Sequence, residues 1–397
     1  MNSPNDHEKS SESRFLPYGS QWIDEADEAA VLRSLRSDFL TQGPEIAAFD
    51  EELAAYTGAK YAVAVANGTA ALHLAVLALE LPAGTSGITH PNTFVATSNA
   101  LAYCGLRPRF VDIDPKTYTM EPAFLEKALD AEPAGVALPV HFAGQPAHME
   151  KISRVCRARG ARIIEDAAHA IGGRYADGSR VGSCRHSDMT IFSFHPVKTM
   201  TCGEGGAITT NDPELFRRLV TLRTHGITRD PALLGENPGP WYYEMQMLGY
   251  NYRLTDIQAA LGRSQLAKLD GFVRRRRELV ARYNEKFAGV PWLKTPHEEP
   301  GVYSAWHLYV LQFDWQALGR TRTDVMDALR EKGIGSQVLY IPVPLQPYYR
   351  KNYGFAPGMF PAAENYYEKA LAIPLFPRMT EADQNRVIDV VSGLSKA

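Results

Sequence analysis

Apolar runs alternate with amphipathic segments up to about residue 255, and this alternation constrains the fold more than any other feature of the chain. Residues 61–66 (YAVAVA) have the composition of a buried strand, whereas residues 69–80 place Leu72, Val76 and Leu79 on one helical face. Alternating strand and helix patterns are typical of α/β proteins, so we predict that class. Further strands are predicted at 109–113, 136–141, 161–165, 189–194 and 207–210.

The pattern changes near residue 256, where Thr255 is placed to cap a long helix. After it we predict a second helix, a strand, a helix, a strand and a last helix, at 279–287, 308–313, 323–332, 336–340 and 381–394. We therefore predict a disordered polar tail at 1–14, a large domain over 15–255 and a smaller C-terminal α+β domain over 256–397. The stretch 229–247 is predicted to be a long loop, and loops of that length are often functional.

The charge and cysteine content argue against several classes of partner. The formal net charge is −3, so the chain lacks the basic field expected for binding to nucleic acid or to a membrane surface. No run of about 18 apolar residues is present that would span a bilayer. The four cysteines form no C-x-x-C pair, which disfavours a zinc site, and a chain of this size needs no disulfides. We expect a cytoplasmic protein with no metal site and no nucleic-acid or membrane partner.

Three segments with chemically versatile residues each follow a predicted strand. Ligands of open α/β sheets bind beyond the carboxyl ends of the strands, so we expect the three segments to converge. The first is Asn67-Gly68-Thr69-Ala70, which leads into a helix. Such a turn offers free backbone N–H groups and the positive end of the helix dipole, which suit a phosphate. The alternative is an ordinary strand-to-helix turn capped by Thr69.

The other two segments carry ionisable side chains. In residues 165–169 (EDAAH), Asp166 is suited to pair with a cationic ring such as the pyridinium of pyridoxal phosphate; alternatively it caps a turn, and His169 is a satisfied, partly buried histidine. In residues 193–198 (SFHPVK), Lys198 becomes a nucleophile if partial desolvation lowers its pKa; alternatively it is an ordinary surface charge. The sequence contains no G-x-G-x-x-G fingerprint, which argues against a nicotinamide site.

The order of these segments resembles that of the DegT/DnrJ/EryC1/StrS sugar aminotransferases, which are pyridoxal phosphate enzymes of fold type I. The resemblance extends from about Tyr18 to the C-terminal helix. It is carried by NGTAAL, TFVAT, EDAAHAIG, SFHPVKTMTCGEGGA, GYNYRLTDIQAALG, SAWHLY and VLYIP. It implies a large domain with a mainly parallel central sheet flanked by helices, pyridoxal 5'-phosphate as the cofactor, and a homodimer with shared active sites.

The resemblance also implies a role for individual residues of this chain. Lys198 would form the covalent link to the cofactor, and Asp166 would pair with its pyridinium nitrogen. His169 would lie near the phenolic oxygen of the ring, and Phe94 would stack on the pyridine face.

The phosphate of the cofactor would be held from two subunits. Thr69, Ala70 and Ser193 would contact it from one chain, and Asn251 would reach it from the neighbouring chain. Ala70 departs from some relatives, which carry a serine there, so a contact at this position would use the backbone alone.

The substrate is implied by a narrower resemblance. Residues 193–206, THGITRDP, PWYYEMQMLGYNYR and LTQG most resemble pseudaminic acid pathway transaminases, which aminate C4 of UDP-2-acetamido-2,6-dideoxy-β-L-arabino-hex-4-ulose. L-Glutamate would be the amino donor, and Tyr18, Thr41 and Tyr340 would line the nucleotide-sugar pocket. The alternatives are a transaminase for another UDP- or dTDP-linked 4-keto sugar, a dehydratase that holds the cofactor noncovalently, and a non-catalytic sensor. The presence of Lys198 and Asp166 disfavours the last two.

Overall fold

A computed structural model describes residues 15–395, so the predicted disordered tail at 1–14 lies outside the described residues. Within them, the helices α1–α13 are Glu25–Leu35, Pro44–Thr57, Gly68–Ala78, Val95–Tyr103, Pro122–Ala131, Met149–Arg157, Pro213–Arg223, Asp256–Phe287, Trp315–Leu318, Arg322–Glu331, Pro347–Tyr353, Pro361–Lys369 and Glu381–Ser392. The strands β1–β12 are Tyr61–Val65, Ser86–Thr89, Arg107–Phe110, Val136–Ala137, Arg162–Asp166, Met189–Ser193, Gly206–Thr210, Ile227–Thr228, Glu244–Met245, Leu293–Lys294, Tyr309–Phe313 and Ala370–Ile373.

Seven strands form the central sheet, in the order β1-β7-β6-β5-β4-β2-β3. The pairs β2–β3, β2–β4, β4–β5 and β5–β6 are parallel. Strand β7 is antiparallel to both of its neighbours, β1 and β6, so it is the one reversed strand of this sheet. The mainly parallel sheet confirms the predicted α/β class.

Helices cover both faces of the sheet. Successive strand residues point to opposite sides, so a strand of continuous apolar residues has an apolar surface on each face that must be covered. In β1, Ala62 and Ala64 belong to the apolar core on one face, which includes residues of α2, α5, α6 and α8. Val63 and Val65 belong to the core on the other face, which includes residues of α3, α4 and α7. This burial on both faces explains why the strands are near-continuous apolar runs in the sequence.

Helix α8 contributes to two separate cores. Leu266 and Leu269 belong to the core against the central sheet, whereas Leu279 and Phe287 pack with α10, α13 and the antiparallel sheet β10-β11-β12. Thr255 caps α8 as predicted, with its side chain accepting from the backbone N–H of Gln258. The prediction of two helices in this region is wrong, because apolar residues continue at helical spacing through the middle of α8.

The predicted strand at 336–340 is also wrong. Gln337 exchanges one pair of backbone hydrogen bonds with Ala372, at 3.1 and 2.8 Å, and the chain then leaves the small sheet. Two prolines follow, Pro342 and Pro344, and neither has an N–H with which to extend a strand ladder. The segment instead places Tyr340 in a cleft that also contains Asp166 and Lys198.

The remaining segments have less influence on the site. The predicted loop 229–247 is irregular over most of its length, but residues 244–245 within it form β9 and pair with β8 just before it, so the prediction is wrong at that end. None of the helices within residues 15–395 is both long and apolar enough to cross a bilayer. The domain boundary near residue 256 stays a prediction.

Candidate active site

A cleft of about 710 Å³ lies at the carboxyl ends of β1, β5 and β6, and all three predicted segments contribute to its wall. Nine of the predicted site residues line it: Tyr18, Thr69, Ala70, Phe94, Asp166, His169, Ser193, Lys198 and Tyr340. Thr41 and Asn251 do not line the cleft. Both are exposed, and their backbones pair with Thr255 and Thr224, respectively.

The turn after β1 places the N-terminus of α3 in the cleft. The helix is capped by Asn67 rather than by Thr69, because Asn67 Oδ1 accepts from the backbone N–H of Ala70 over 2.8 Å. The N–H of Ala70 is therefore already engaged, whereas those of Gly68 and Thr69 begin the helix, where no helical acceptor exists. The cleft end of α3 thus carries donors and a positive partial charge, as an anion site requires.

Gly68 is required by the close approach of this turn to the end of β6. A Cβ added to Gly68 would lie 2.8 Å from the Cβ of Ser193, which is closer than side chains tolerate. The same packing brings the Ser193 hydroxyl beside the start of α3. The helix end and the hydroxyl therefore form one small cradle suited to a phosphate.

Lys198 projects from a turn that follows β6. Its backbone N–H donates to His195 O over 2.8 Å, and the base of the loop is closed by Phe194 N–H donating to Gly205 O at the same distance. Burial in the cleft lowers the pKa of the Lys198 amine to about 8, although the nearby Asp166 carboxylate opposes the shift. At pH 7 roughly a tenth of these amines would be neutral, compared with fewer than about one in a thousand for an ordinary lysine.

Asp166 is the last residue of β5 and is 4% exposed. Its Oδ1 accepts from the Ala168 N–H over 3.0 Å, and its Oδ2 accepts from the Thr97 hydroxyl over 2.6 Å. Each carboxylate oxygen therefore has one donor from the protein and a further lone pair available to a ligand in the cleft.

His169 is buried with contacts on both ring nitrogens. The Ala143 N–H donates to Nδ1 over 3.3 Å, so Nε2 carries the proton and faces the Tyr340 hydroxyl at 3.2 Å. Burial, aided by the charge of Lys198, holds the pKa of His169 well below its ordinary value. His169 is therefore a neutral hydrogen-bond donor and does not compete for the proton of a ligand.

Aromatic side chains surround the mouth of the cleft. Phe94 is 55% exposed, and its ring centroid lies 5.9 Å from that of Tyr340. Burial raises the pKa of both Tyr18 and Tyr340, so both phenols keep their protons and remain hydrogen-bond donors at neutral pH. A flat ring and polar groups attached to it would be accommodated here.

The donor set of the cleft fits pyridoxal phosphate. It offers an amine for the aldehyde, a carboxylate for the pyridinium and a helix N-terminus with a hydroxyl for the phosphate. The profile of the DegT/DnrJ/EryC1/StrS aminotransferase family matches residues 21–392. The chain belongs to this family.

Two proteins that are 40% identical to this member of the DegT/DnrJ/EryC1/StrS family match it over almost its whole length. SpsC of Bacillus subtilis, a spore coat polysaccharide biosynthesis protein, matches over 385 residues, which are 97% of this chain and 98% of SpsC. The uncharacterized protein MJ1066 of Methanocaldococcus jannaschii matches over 382 residues, which are 96% of this chain and 97% of that protein.

Solved structures of similar proteins have the same fold. Helicobacter pylori PseC, an aminotransferase of pseudaminic acid biosynthesis, superimposes with a TM-score of 0.88 at 29% identity, covering 96% of this chain and 99% of PseC. The putative sugar aminotransferase Spr1654 of Streptococcus pneumoniae has a TM-score of 0.88 at 30% identity, covering 96% of this chain and 98% of Spr1654, and is known in PLP and PMP forms. The resemblance noted in the sequence is confirmed: this is a fold type I aminotransferase of the DegT/DnrJ/EryC1/StrS family, with pyridoxal phosphate as its cofactor.

Several residues of the cleft were not predicted from the sequence. Thr93, Tyr252 and Glu204 line it, and Thr97 contacts Asp166 behind it. A partial signal for the two threonines was present, because both lie in the motif TFVAT with the predicted stacking residue Phe94. Tyr252 follows Asn251 in GYNYR and packs against His73 on α3, a contact that no local pattern predicts.

The buried amine predicts an unusual pH dependence of stability in the apoprotein. The Lys198 amine keeps its proton up to about pH 10.5 when unfolded but only to about 8 when folded. Between these values the unfolded chain binds more protons, so stability rises with pH. Lys198→Met removes the effect, so the variant should be more stable than the wild type at pH 7, by on the order of 2 kcal/mol for a part-buried amine.

Denaturant unfolding of both apoproteins at pH 7 and 9.5 checks this, at equal protein concentrations. The stability difference should shrink at the higher pH. The exposed Lys151→Met should show no such difference at either pH. A gap that stays constant with pH would contradict a lowered pKa of Lys198.

Proposed function

We propose that the chain transfers an amino group from L-glutamate to C4 of a nucleotide-linked 4-keto-6-deoxy sugar. The proposed acceptor is UDP-2-acetamido-2,6-dideoxy-β-L-arabino-hex-4-ulose, in pseudaminic acid biosynthesis. The observation that carries the proposal is the convergence of the Lys198 amine, the Asp166 carboxylate and the start of α3 on one cleft. This combination supplies a proton carrier, a fixed negative charge and an anion site within reach of one cofactor.

The cofactor would be held at three places by residues of this chain. Lys198 would bind the aldehyde carbon, Asp166 would face the ring nitrogen, and Thr69 and Ser193 would hold the phosphate at the cradle. Phe94 would cover one face of the ring. When bound, pyridoxal phosphate supplies the carbonyl that takes up the amino group and a protonated ring that withdraws electrons from the reacting carbon.

Lys198 and Asp166 divide the remaining chemistry. The neutral fraction of the Lys198 amine can accept a proton from Cα of glutamate, and its charged form can return a proton to C4 of the sugar. Asp166 would pair with the ring nitrogen throughout. Because 2-oxoglutarate leaves before the sugar reacts, we expect ping-pong kinetics.

The nucleotide sugar would enter past the exposed aromatic rim. The side chains of Tyr18 and Tyr340 are neutral donors suited to sugar oxygens. The names of two relatives support a sugar substrate: PseC acts in pseudaminic acid biosynthesis, and SpsC in spore coat polysaccharide biosynthesis. The greater identity to SpsC than to PseC keeps a transaminase for another UDP- or dTDP-linked 4-keto sugar as the second candidate.

A paired assay separates these candidates. The purified holoenzyme would be given L-glutamate and either the UDP-linked 6-deoxy-4-keto N-acetyl sugar or a dTDP-linked 4-keto sugar, with 2-oxoglutarate and the amino sugar as products. Preference for the first by about 100-fold in kcat/KM, the difference that a few lost hydrogen bonds produce, is the expected result. Preference for the dTDP sugar would replace the proposed substrate, and dehydration without amino transfer would overturn the proposed reaction.

The exposed position of Asn251 supports a site shared between two subunits. Asn251 does not line the cleft of its own chain, although the neighbouring Tyr252 does. We therefore propose a homodimer in which Asn251 of each chain reaches the phosphate cradle of the other. Thr41, exposed on its own chain, would line the sugar pocket in the same way.

A mixed dimer of Lys198→Ala and Asn251→Ala chains should be more active than either parent dimer. One of its two sites would then contain both native residues. Random mixing should restore about a quarter of wild-type activity, because half of the dimers are mixed and each has one intact site.

The matched control mixes Lys198→Ala with Asp166→Asn chains. Both residues line the cleft of the same chain, so no mixed site is intact and no activity should return. Equal recovery of activity in both mixtures would mean that the recovered activity does not come from a shared site. Recovery in neither mixture would contradict a shared site.

A further inference from the structure

We infer that Thr97 is a positioning residue that orients the Asp166 carboxylate towards the cofactor. Thr97 lies in the first turn of α4, is 0% exposed, and donates from Oγ1 to Asp166 Oδ2 over 2.6 Å. The two residues are 69 positions apart in sequence, so the contact depends on the packing of α4 against the end of β5. A buried, short hydrogen bond to a charged group is among the stronger ones in a protein.

The direction of each hydrogen bond in this contact follows from the groups involved. A carboxylate only accepts, so the single hydroxyl proton of Thr97 points to Asp166. The carbonyl of Phe94 lies 3.3 Å from Thr97 Oγ1 but cannot receive the same proton. The lone pairs of Thr97 remain free for the Thr93 hydroxyl, which is 2.8 Å away. Thr93, Thr97 and Asp166 therefore form a chain in which each donor strengthens the next.

A second donor fixes the plane of the carboxylate. Ala168 N–H binds Oδ1 over 3.0 Å while Thr97 binds Oδ2, so rotation of the carboxylate would break one bond or the other. With both oxygens held, the remaining lone pairs keep a constant direction towards the cleft. Preorganisation of this kind strengthens pairing with a ligand without adding a new contact to it.

The inference rests on the proposed pairing of Asp166 with the ring nitrogen of the cofactor. If Thr97 acts through that pairing, removing its hydroxyl should weaken the one contact made by the nitrogen. If Thr97 only stabilises the fold, its removal should weaken every contact with the cofactor alike. A cofactor analogue that lacks the nitrogen separates the two roles.

The experiment titrates the full-length apoprotein with pyridoxal phosphate and with its 1-deaza analogue, in which carbon replaces the ring nitrogen. Absorbance or fluorescence gives each dissociation constant without any turnover. Thr97→Val, which keeps the shape but not the hydroxyl, should weaken pyridoxal phosphate binding by about tenfold, as expected for a lost hydrogen bond to a charged group. It should change binding of the 1-deaza analogue by less than about twofold.

Two variants serve as controls. Thr97→Ser retains the hydroxyl and should bind pyridoxal phosphate within about twofold of the wild type. Ser98 is the next residue on α4 and equally buried, but its hydroxyl bonds to Tyr349 over 2.7 Å. Ser98→Ala therefore removes a buried hydroxyl from the same helix without touching Asp166. Any loss of affinity it causes should be equal for the two cofactors.

Asp166→Asn distinguishes a failure of the inference from a failure of its basis. If Asp166→Asn shows no difference between the two cofactors, the pairing of Asp166 with the ring nitrogen is wrong. If Asp166→Asn weakens binding of pyridoxal phosphate more than binding of the 1-deaza analogue but Thr97→Val does not, the pairing of Asp166 stands. The role of Thr97 is then overturned. Equal weakening of both cofactors by Thr97→Val would likewise reduce Thr97 to a structural residue.

Discussion

Lys198→Ala should lower turnover by about four orders of magnitude, the upper end for loss of an acid–base group, while the chain still folds. The amine is the one group of the cleft that we expect both to bind the cofactor and to move protons. Alanine removes a part-buried cation whose burial costs more than its attraction to Asp166 returns, so the fold should not be weakened. Initial rates with saturating glutamate and keto sugar measure the effect.

The spectrum gives an independent measurement of the same change. Wild-type holoenzyme should be yellow, as expected when a lysine holds the cofactor. Lys198→Ala should lack this form even with the cofactor present. Lys151→Ala, on the exposed face of α6, should match the wild type in colour and rate. Full turnover by Lys198→Ala would refute its catalytic role.

Asp166→Asn should lower kcat by about 10²- to 10³-fold, the size seen when one preorganised electrostatic contact is removed from a site. The amide has nearly the same shape but no charge, so it cannot keep the ring nitrogen protonated. Cofactor affinity should fall less than kcat, because the phosphate cradle and Lys198 are unchanged. Comparing kcat with the cofactor dissociation constant tests this split.

The control for Asp166→Asn is an exposed carboxylate that does not line the cleft. Asp130 pairs with Arg159 at the surface, so Asp130→Asn should leave both kcat and cofactor affinity unaltered. If Asp166→Asn reduced affinity and kcat by the same factor, the residue would be a binding contact and not an electron-withdrawing partner. Unchanged kinetics would remove it from the mechanism.

The class of fold was predictable from the sequence because both faces of the sheet are buried. Strand β1 (YAVAV) therefore appears as an apolar run, and β6 (MTIFS) has apolar residues directed to both faces. The small sheet was harder to predict. Strand β12 (ALAI) is short and follows α12 directly, whereas residues 336–340 have strand-like composition but leave the sheet after Gln337. The two segments differ in their tertiary contacts, because the residues after Gln337 leave the sheet and place Tyr340 in the cleft.

The part of the site that lies at or just after the carboxyl ends of the strands was predictable from the sequence. Asp166 and Ser193 are the last residues of β5 and β6, and Lys198 follows shortly after. The rule that ligands bind at the carboxyl edge was sufficient to group them. Thr97 was missed because its partner lies on another element. Asn67, as the actual cap of α3, was missed because Thr69 is an equally good capping residue by type.

The shared helix α8 has a consequence for how the molecule comes apart. Its residues Leu266 and Leu269 are embedded in one core, and Leu279 and Phe287 in another, with no break between them. Unfolding of either core would leave half of helix α8 with its apolar side exposed to water. We expect a single sharp heat-absorption peak in calorimetry, because neither half can melt while the other stays ordered.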